Sequence, residues 1–274
     1  MTTKSTRIPT VFVSHGLVGY TLSSNSVVYQ SMQAFSQNNN IQKRVKTVII
    51  VSAHWEESSV TINLNPKPNI DHGHPSKWLY KYDFKLDTNI ELAKKINQSM
   101  IQNNIHTKTT DKENLDHGGW AALFTLYNLD EQQKAFDSNS KYAPQIVQVS
   151  LHSGMDFSLH FKIGQILEQY RNDDTMILCS GSTTHSFTYM GHPQYHVWSR
   201  EWEKILFNVL TNKDEKKRVD NLLKIKQLNI YNYVQSSDDH FIPIIVAAGT
   251  SSYPAQYINQ EKNFESQCSC YSFQ

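Results

Sequence analysis

Four short apolar runs rich in β-branched residues constrain this chain more than any other feature: Thr10 to Val13, Thr47 to Val51, Gln145 to Val149 and Thr175 to Leu178. Continuous runs of this kind suit strands covered on both faces, because a sheet wetted on one side alternates apolar and polar residues. Stripes at helical spacing lie between and after them. They are Leu92, Ile96 and Met100; Leu159, Ile163, Ile166, Leu167 and Tyr170; and Trp198, Trp202, Ile205, Leu206 and Val209. Strands alternating with helices predict an α/β fold, a three-layer α/β/α domain with a central, largely parallel or mixed sheet.

The 274 residues suffice for one large α/β domain or two small ones. No internal repeat occurs. The polar stretches Gln37 to Asn40 and Glu131 to Lys141 read as surface loops or insertions and not as linkers, so residues 1–274 are expected to form a single domain. The alternating aromatics Tyr80, Tyr82 and Phe84 predict an edge strand with one buried face.

Hydrophobic residues make up 39% and charged residues 19%, an ordinary globular composition, and the net charge of +1 argues against nucleic acid or an anionic membrane as main partner. No apolar run approaches the length that spans a bilayer. The N-terminal MTTKSTRIPT has no apolar core of the kind a secretory signal needs. Only three cysteines occur, with Cys179 in an apolar run and Cys268 and Cys270 too close together for a disulfide framework. A reducing, cytoplasmic setting is the expectation.

In open α/β sheets ligands bind beyond the carboxyl ends of the strands. The first predicted strand is followed by Ser14-His15-Gly16 and the second by Ser52-Ala53-His54-Trp55. The fourth is followed by Ser180-Gly181-Ser182-Thr183-Thr184-His185. Near the C-terminus, His240 precedes the apolar run Phe241 to Ala248 and stands at an expected helix start. One such histidine has a structural explanation more often than not; three at equivalent places plus a fourth at a helix entrance are harder to explain as packing. Imidazole suits Zn, Fe and Cu, and a catalytic metal needs three protein ligands and an open position. His15, His54 and His240 could supply that set, leaving His185 for proton transfer near neutral pH. Spacing alone chooses neither the metal nor the reaction.

Five motifs then follow in order: PTVFVSHG (Pro9 to Gly16), VIIVSAHWE (Val48 to Glu56), LDHGGW (Leu115 to Trp120), ILCSGSTTHS (Ile177 to Ser186) and DHFIPIIVAAG (Asp239 to Gly249). With them the chain resembles, over nearly its whole length, the 4,5-DOPA extradiol dioxygenase family within the class III extradiol ring-cleaving dioxygenases. The resemblance implies His15, His54 and His240 as ligands of one mononuclear divalent metal. It implies His185 as the histidine facing substrate and His117 as a second active-site histidine. It also implies Fe(II) for catalysis, with Zn(II) able to occupy the same imidazoles. The reactants would be a small aromatic diol, DOPA-like by analogy, and O2, and the product would be of the muconic semialdehyde type.

Other readings stand beside these. Asp239 or Asp238 in place of His240 would make a site of two histidines and one carboxylate. Asp239 also reads as a helix cap or as an acceptor that orients an imidazole. Zinc held by three histidines could serve a hydrolase, and the pocket could belong to a non-enzymatic adaptor. Ser180-Gly181-Ser182 lacks the spacing of a hydrolase elbow and reads as a tight turn that brings His185 to the metal. His72 and His74, in IDHGHP, depart from the family pattern and are expected to make the substrate entrance more polar. His160 reads as structural, His192 and His196 as solvated loop residues, and Trp198 and Trp202 as core.

Overall fold

The computed structural model describes residues 7–73, 77–127, 135–136, 143–259 and 268–274. Its main sheet has six strands: β1 (Thr10–Ser14), β2 (Thr47–Ser52), β3 (Gln145–Gln148), β4 (Thr175–Gly181), β5 (Gln256–Tyr257) and β6 (Tyr271–Phe273). In space the order is β5-β6-β1-β4-β2-β3. The pairs β1/β4, β4/β2 and β2/β3 are parallel, and β6 runs antiparallel to both β1 and β5. All four expected strands are present, and the sheet is largely parallel with an antiparallel edge.

Successive side chains of a strand point to opposite faces, and here both faces are buried. Phe12, Ile49, Val51, Val147, Ile177 and Cys179 belong to one core. That core is completed by α2 (Ile90–Gln102), α4 (Phe157–Glu168), α5 (Tyr195–Leu210) and α6 (Ile242–Gly249). Val11, Val13, Val48, Ile50, Met176 and Leu178 belong to the other, against α1 (Val27–Asn39) and α3 (His117–Leu126). The continuous apolar runs therefore reflect a three-layer sandwich. Trp202 is fully buried in the first core.

Two local expectations differ. Gln37 to Asn40 is not a loop, since α1 continues to Asn39 and Asn40 caps it in the left-handed region at φ 53°. Asparagine tolerates that conformation and ends helices with it, so a polar run here marks a helix end. The aromatic alternation at Tyr80 to Phe84 is mostly not strand: Lys77–Lys81 is a 3-10 helix, and only Asp83–Phe84 is extended, paired with Ala135–Phe136. Leu79 and Tyr82, three residues apart, are the buried pair, as a period of three requires. His74 and most of Glu131 to Lys141 lie outside the described residues. No helix among the described residues is long and apolar enough to cross a membrane.

Helices α4 and α6 touch backbone to backbone. A Cβ on Gly164 would stand 2.1 Å from the Val246 carbonyl oxygen and 2.9 Å from the Gly249 Cα, so only glycine fits the crossing. This contact seats α6, the helix that follows His240. Gly164→Ala is expected to lower the unfolding free energy by about 2–3 kcal/mol through overpacking. Gly191→Ala, where nothing lies within 4 Å, serves as the comparison and should move it little. Urea unfolding of both variants checks this; equal midpoints would refute the packing argument.

Glu203, on α5, is a fully buried carboxyl. Burial raises its pKa from the ordinary 4.5 to about 7, against the opposing hydrogen bonds of Ser269 and Thr183. Tyr257, Tyr271, Cys268 and Cys270 stand close enough to feel its charge, and all are neutral acids with raised pKa values. A folded pKa above the unfolded one means stability fully present below about pH 4.5 and lost as pH rises through about 7. The loss approaches roughly 3 kcal/mol at alkaline pH. Unfolding at pH 5 and pH 8.5 should show this decline in the parent chain and a smaller one in Glu203→Gln; parallel declines would show that Glu203 is not its source.

Candidate metal centre

The parallel register brings the strand ends to one edge. Val13 is level with Ser180, and Ser180 with Ser52. His15 and His54 each lie two residues beyond that row. His240 reaches the same place from the turn before α6, where the Ser182 N–H donates to its carbonyl at 2.8 Å. Ligand atoms of His15, His54 and His240 all lie within 4.8 Å of one another. His54 Nε2 and His15 Nε2 are 3.2 Å apart.

Hydrogen bonds select the tautomers. The Ser180 hydroxyl donates to the Gly118 carbonyl at 2.7 Å, so it accepts from His15 Nδ1–H at 2.9 Å. His15 Nε2 is thereby left with a bare lone pair. His240 Nδ1–H donates to Asp239 Oδ2 at 2.8 Å, which frees its Nε2 in the same way. Asp239 is therefore an orienting acceptor and not the helix cap; the cap position of α6 is Phe241. Burial would raise the Asp239 pKa, but the hydrogen bond and charge of His240, with Ser237, hold it well below the usual carboxylate range.

The cluster disfavours protons. Burial, then the neighbouring imidazoles beginning with His240, hold His15 well below the usual histidine value. Burial and His117 push His54 down to about 3. Two imidazolium charges 3.2 Å apart would repel by roughly 5 kcal/mol at an effective dielectric near 20. Ligands held at roughly 2.0–2.2 Å from one ion lie about 3 Å apart across its coordination shell. The residues present thus fit a single cation shared by three imidazoles.

Two further histidines border the cluster. His117 opens α3, with Asp116 as N-cap, and its ring centroid is 3.9 Å from that of His54. Asp116 also accepts from the Ser52 hydroxyl at 2.6 Å, and burial raises its pKa. Gly118 lets this helix start come so near: a Cβ there would meet His54 Cδ2 and Ser52 Oγ at 2.9 Å and His15 Cε1 at 3.0 Å. His185 stacks on His240 with centroids 3.5 Å apart and planes 11° from parallel. Burial, then His240, lowers its pKa to about 4. His185, Asp239 and His240 form a second group whose ligand atoms lie within 4.8 Å.

The structure thus brings all five sequence-predicted site residues together. His72 stands at the border, its Nε2–H donating to the Tyr82 carbonyl at 3.1 Å and its ring stacked on Tyr80 at 4.5 Å. His160 is buried, accepts the His152 N–H at 3.1 Å and donates to the Asp156 carbonyl at 2.7 Å, a local structural role. His196 lies within α5 rather than in a loop. Sequence reasoning missed Ser52, Ser180, Asp116 and Gly118 as supports. The signal was there in part: IIVS and ILCS place Ser52 and Ser180 at the same level of neighbouring strands, and VFVS places Ser14 one residue further on.

A family model described as the catalytic LigB subunit of aromatic ring-opening dioxygenase matches residues 8–270. The chain belongs to this family. Membership in the ring-opening dioxygenases supports an oxygenase enzyme and implies a catalytic metal, an aromatic substrate and O2. A 4,5-DOPA dioxygenase extradiol of Beta vulgaris is 25% identical over 250 residues, 88% of this chain and 86% of its own. The Escherichia coli K12 protein of that name is 24% identical over 260 residues, covering 89% and 86%. The fold is shared by a crystal structure of an uncharacterized protein from Escherichia coli K12 at 17% identity, with a TM-score of 0.71, covering 98% of this chain and all of the other.

If Asp239 orients His240, Asp239→Asn should weaken metal binding about 10- to 100-fold with the fold intact. Titration of the metal-free chain with Zn(II) against a chelator of known affinity checks this. An unchanged affinity would remove Asp239 from the site.

Proposed function

We propose that this chain is a metal-dependent extradiol dioxygenase that opens the ring of a catechol with O2 to a muconic semialdehyde type of product. The observation that carries the reading is the convergence of three imidazole ligand nitrogens at one sheet edge, in a chain of the ring-opening family. In this reading His15, His54 and His240 hold Fe(II), and residues 1–274 act as one ring-cleavage domain. The bound Fe(II) would supply the redox chemistry of O2 activation, which Zn(II) on the same imidazoles cannot.

The protein's own part is placement and proton handling. His185 is neutral at pH 7, because burial lowers its proton affinity. A neutral imidazole beside the diol takes a phenolic proton as the ring becomes electron-rich and returns it to the ring-opened product. Its Nδ1 is buried with no hydrogen-bond partner among the described residues, so the ring's other nitrogen, Nε2, would face the diol. His117, against His54, would hold the second hydroxyl or the oxygen side of the reactants. A DOPA-like catechol is the proposed substrate, after the activity named for the relatives.

An aerobic assay of Fe(II)-reconstituted protein over a panel of catechols including DOPA tests this. Stoichiometric O2 uptake with a yellow ring-opened product is expected. It should be absent with Zn(II) and reduced about 10²- to 10⁴-fold in His185→Ala. No turnover of any catechol, with one metal bound per chain, would overturn the reading in favour of a zinc hydrolase or a binding protein.

A further inference from the structure

The ring of His185 is oriented without a hydrogen bond to its buried nitrogen. Nδ1 has no partner among the described residues, and the ring stacks on His240 at 3.5 Å and meets Phe187 near edge-on at 4.7 Å. Stacking leaves a ring free to slide in its plane, so its place must come from the backbone. That backbone is bridged at His185 itself to the segment around Gln235. The His185 N–H donates to the Val234 carbonyl at 2.7 Å, and its carbonyl accepts from Ser236 N–H at 2.8 Å.

Two residues upstream, Thr183 is fully buried and every polar group it has is used. Its N–H donates to Ser14 Oγ at 3.1 Å. Its carbonyl accepts from Trp202 Nε1–H at 2.6 Å and from Gln235 Nε2–H at 2.9 Å. Its hydroxyl accepts the Ser269 N–H at 3.3 Å and donates to the carboxyl of Glu203. The knot therefore joins β1 just before His15, helix α5, the turn bearing Gln235 and the C-terminal tail. Glu203 is its one carboxyl, and nothing in the proposed chemistry uses it. Its other oxygen, Oε2, has no partner among the described residues, so the neutral carboxyl is the form this pocket accommodates.

We propose that Glu203, acting through the Thr183 hydroxyl, is a positioning residue that sets where His185 stands against His240. The proposal rests on His185 being the proton-transfer group described above. The Glu203–Thr183 bond fixes the height of the Ser182 to His185 loop above the sheet edge, and the tail residue Ser269 closes it from the far side. Loss of the bond lets the loop relax and the ring slide, while His15 and His240 stay held by Ser180 and Asp239. The effect belongs on kcat, not on metal content.

The test uses the full-length chain with Glu203→Leu, Glu203→Gln, Thr183→Val and the Glu203→Leu/Thr183→Val double variant. Imidazole resonances of His185 and the indole N–H resonance of Trp202 are followed in the metal-free and Zn(II)-loaded protein, with kcat and KM measured on the Fe(II) form. Glu203→Leu and Thr183→Val should each shift both sets of resonances and lower kcat about 10- to 100-fold. Zn(II) stoichiometry should stay at the parent value and KM within about twofold. Glu203→Gln, which keeps an acceptor for the Thr183 hydroxyl, should restore both, and the double variant should be no worse than either single one. A lower melting temperature with unmoved His185 resonances and parental kcat in the cold would reduce Glu203 to a packing role and overturn the proposal. If Glu203→Leu does not fold, Thr183→Val and the resonances decide. If the parent chain turns over no catechol, the dioxygenase reading falls, while the resonances still show whether Glu203 places His185.

Discussion

Val13, Ser180 and Ser52 stand level across three parallel strands, and this row decides where the histidines arrive. His15 and His54 each follow it by two residues, so equal register becomes equal height. A slip of one residue in either pairing would turn the apolar runs inside out as well as separate the imidazoles. The two-sided core makes that slip costly, since each strand buries alternate residues in two different cores. Burial of the strands and assembly of the cluster are one constraint.

The cluster itself is held by contacts that each do a single physical task. Ser180, anchored on the Gly118 carbonyl, settles the tautomer of His15. Asp239 does the same for His240. The absence of a Cβ at Gly118 lets the start of α3 press against both His15 and His54. Burial and the neighbouring rings then lower the proton affinity of His15 and His54, and what repels a proton pair suits one divalent cation. Further out, the Thr183 knot links the His185 loop to α5 and to the tail, so distant segments share in setting one ring.

Much of this could be read in advance. The apolar runs named the strands of the parallel sheet, and the residue type just past each of them pointed to the edge where the histidines meet. Local polarity was a poorer guide. Gln37 to Asn40 looked like a loop because asparagine and glutamine are surface residues, yet a helix end is also a surface, and Asn40 closes it with a positive φ. The aromatics from Tyr80 to Phe84 alternate, but Leu79 and Tyr82 bury at a spacing of three. Short apolar patterns carry both periods, and packing against Trp120 and Phe124 chooses between them.

By itself the sequence determined the α/β class, the strands and the set of histidines, because periodicity and residue chemistry are local properties of a chain. Only the tertiary structure decided that three of those histidines share one point, that Asp239 orients where it might have capped, and that Glu203 reaches Thr183 across twenty residues of chain. Those are relations between elements far apart in sequence. They depend on register, helix crossing and burial, which no single segment encodes.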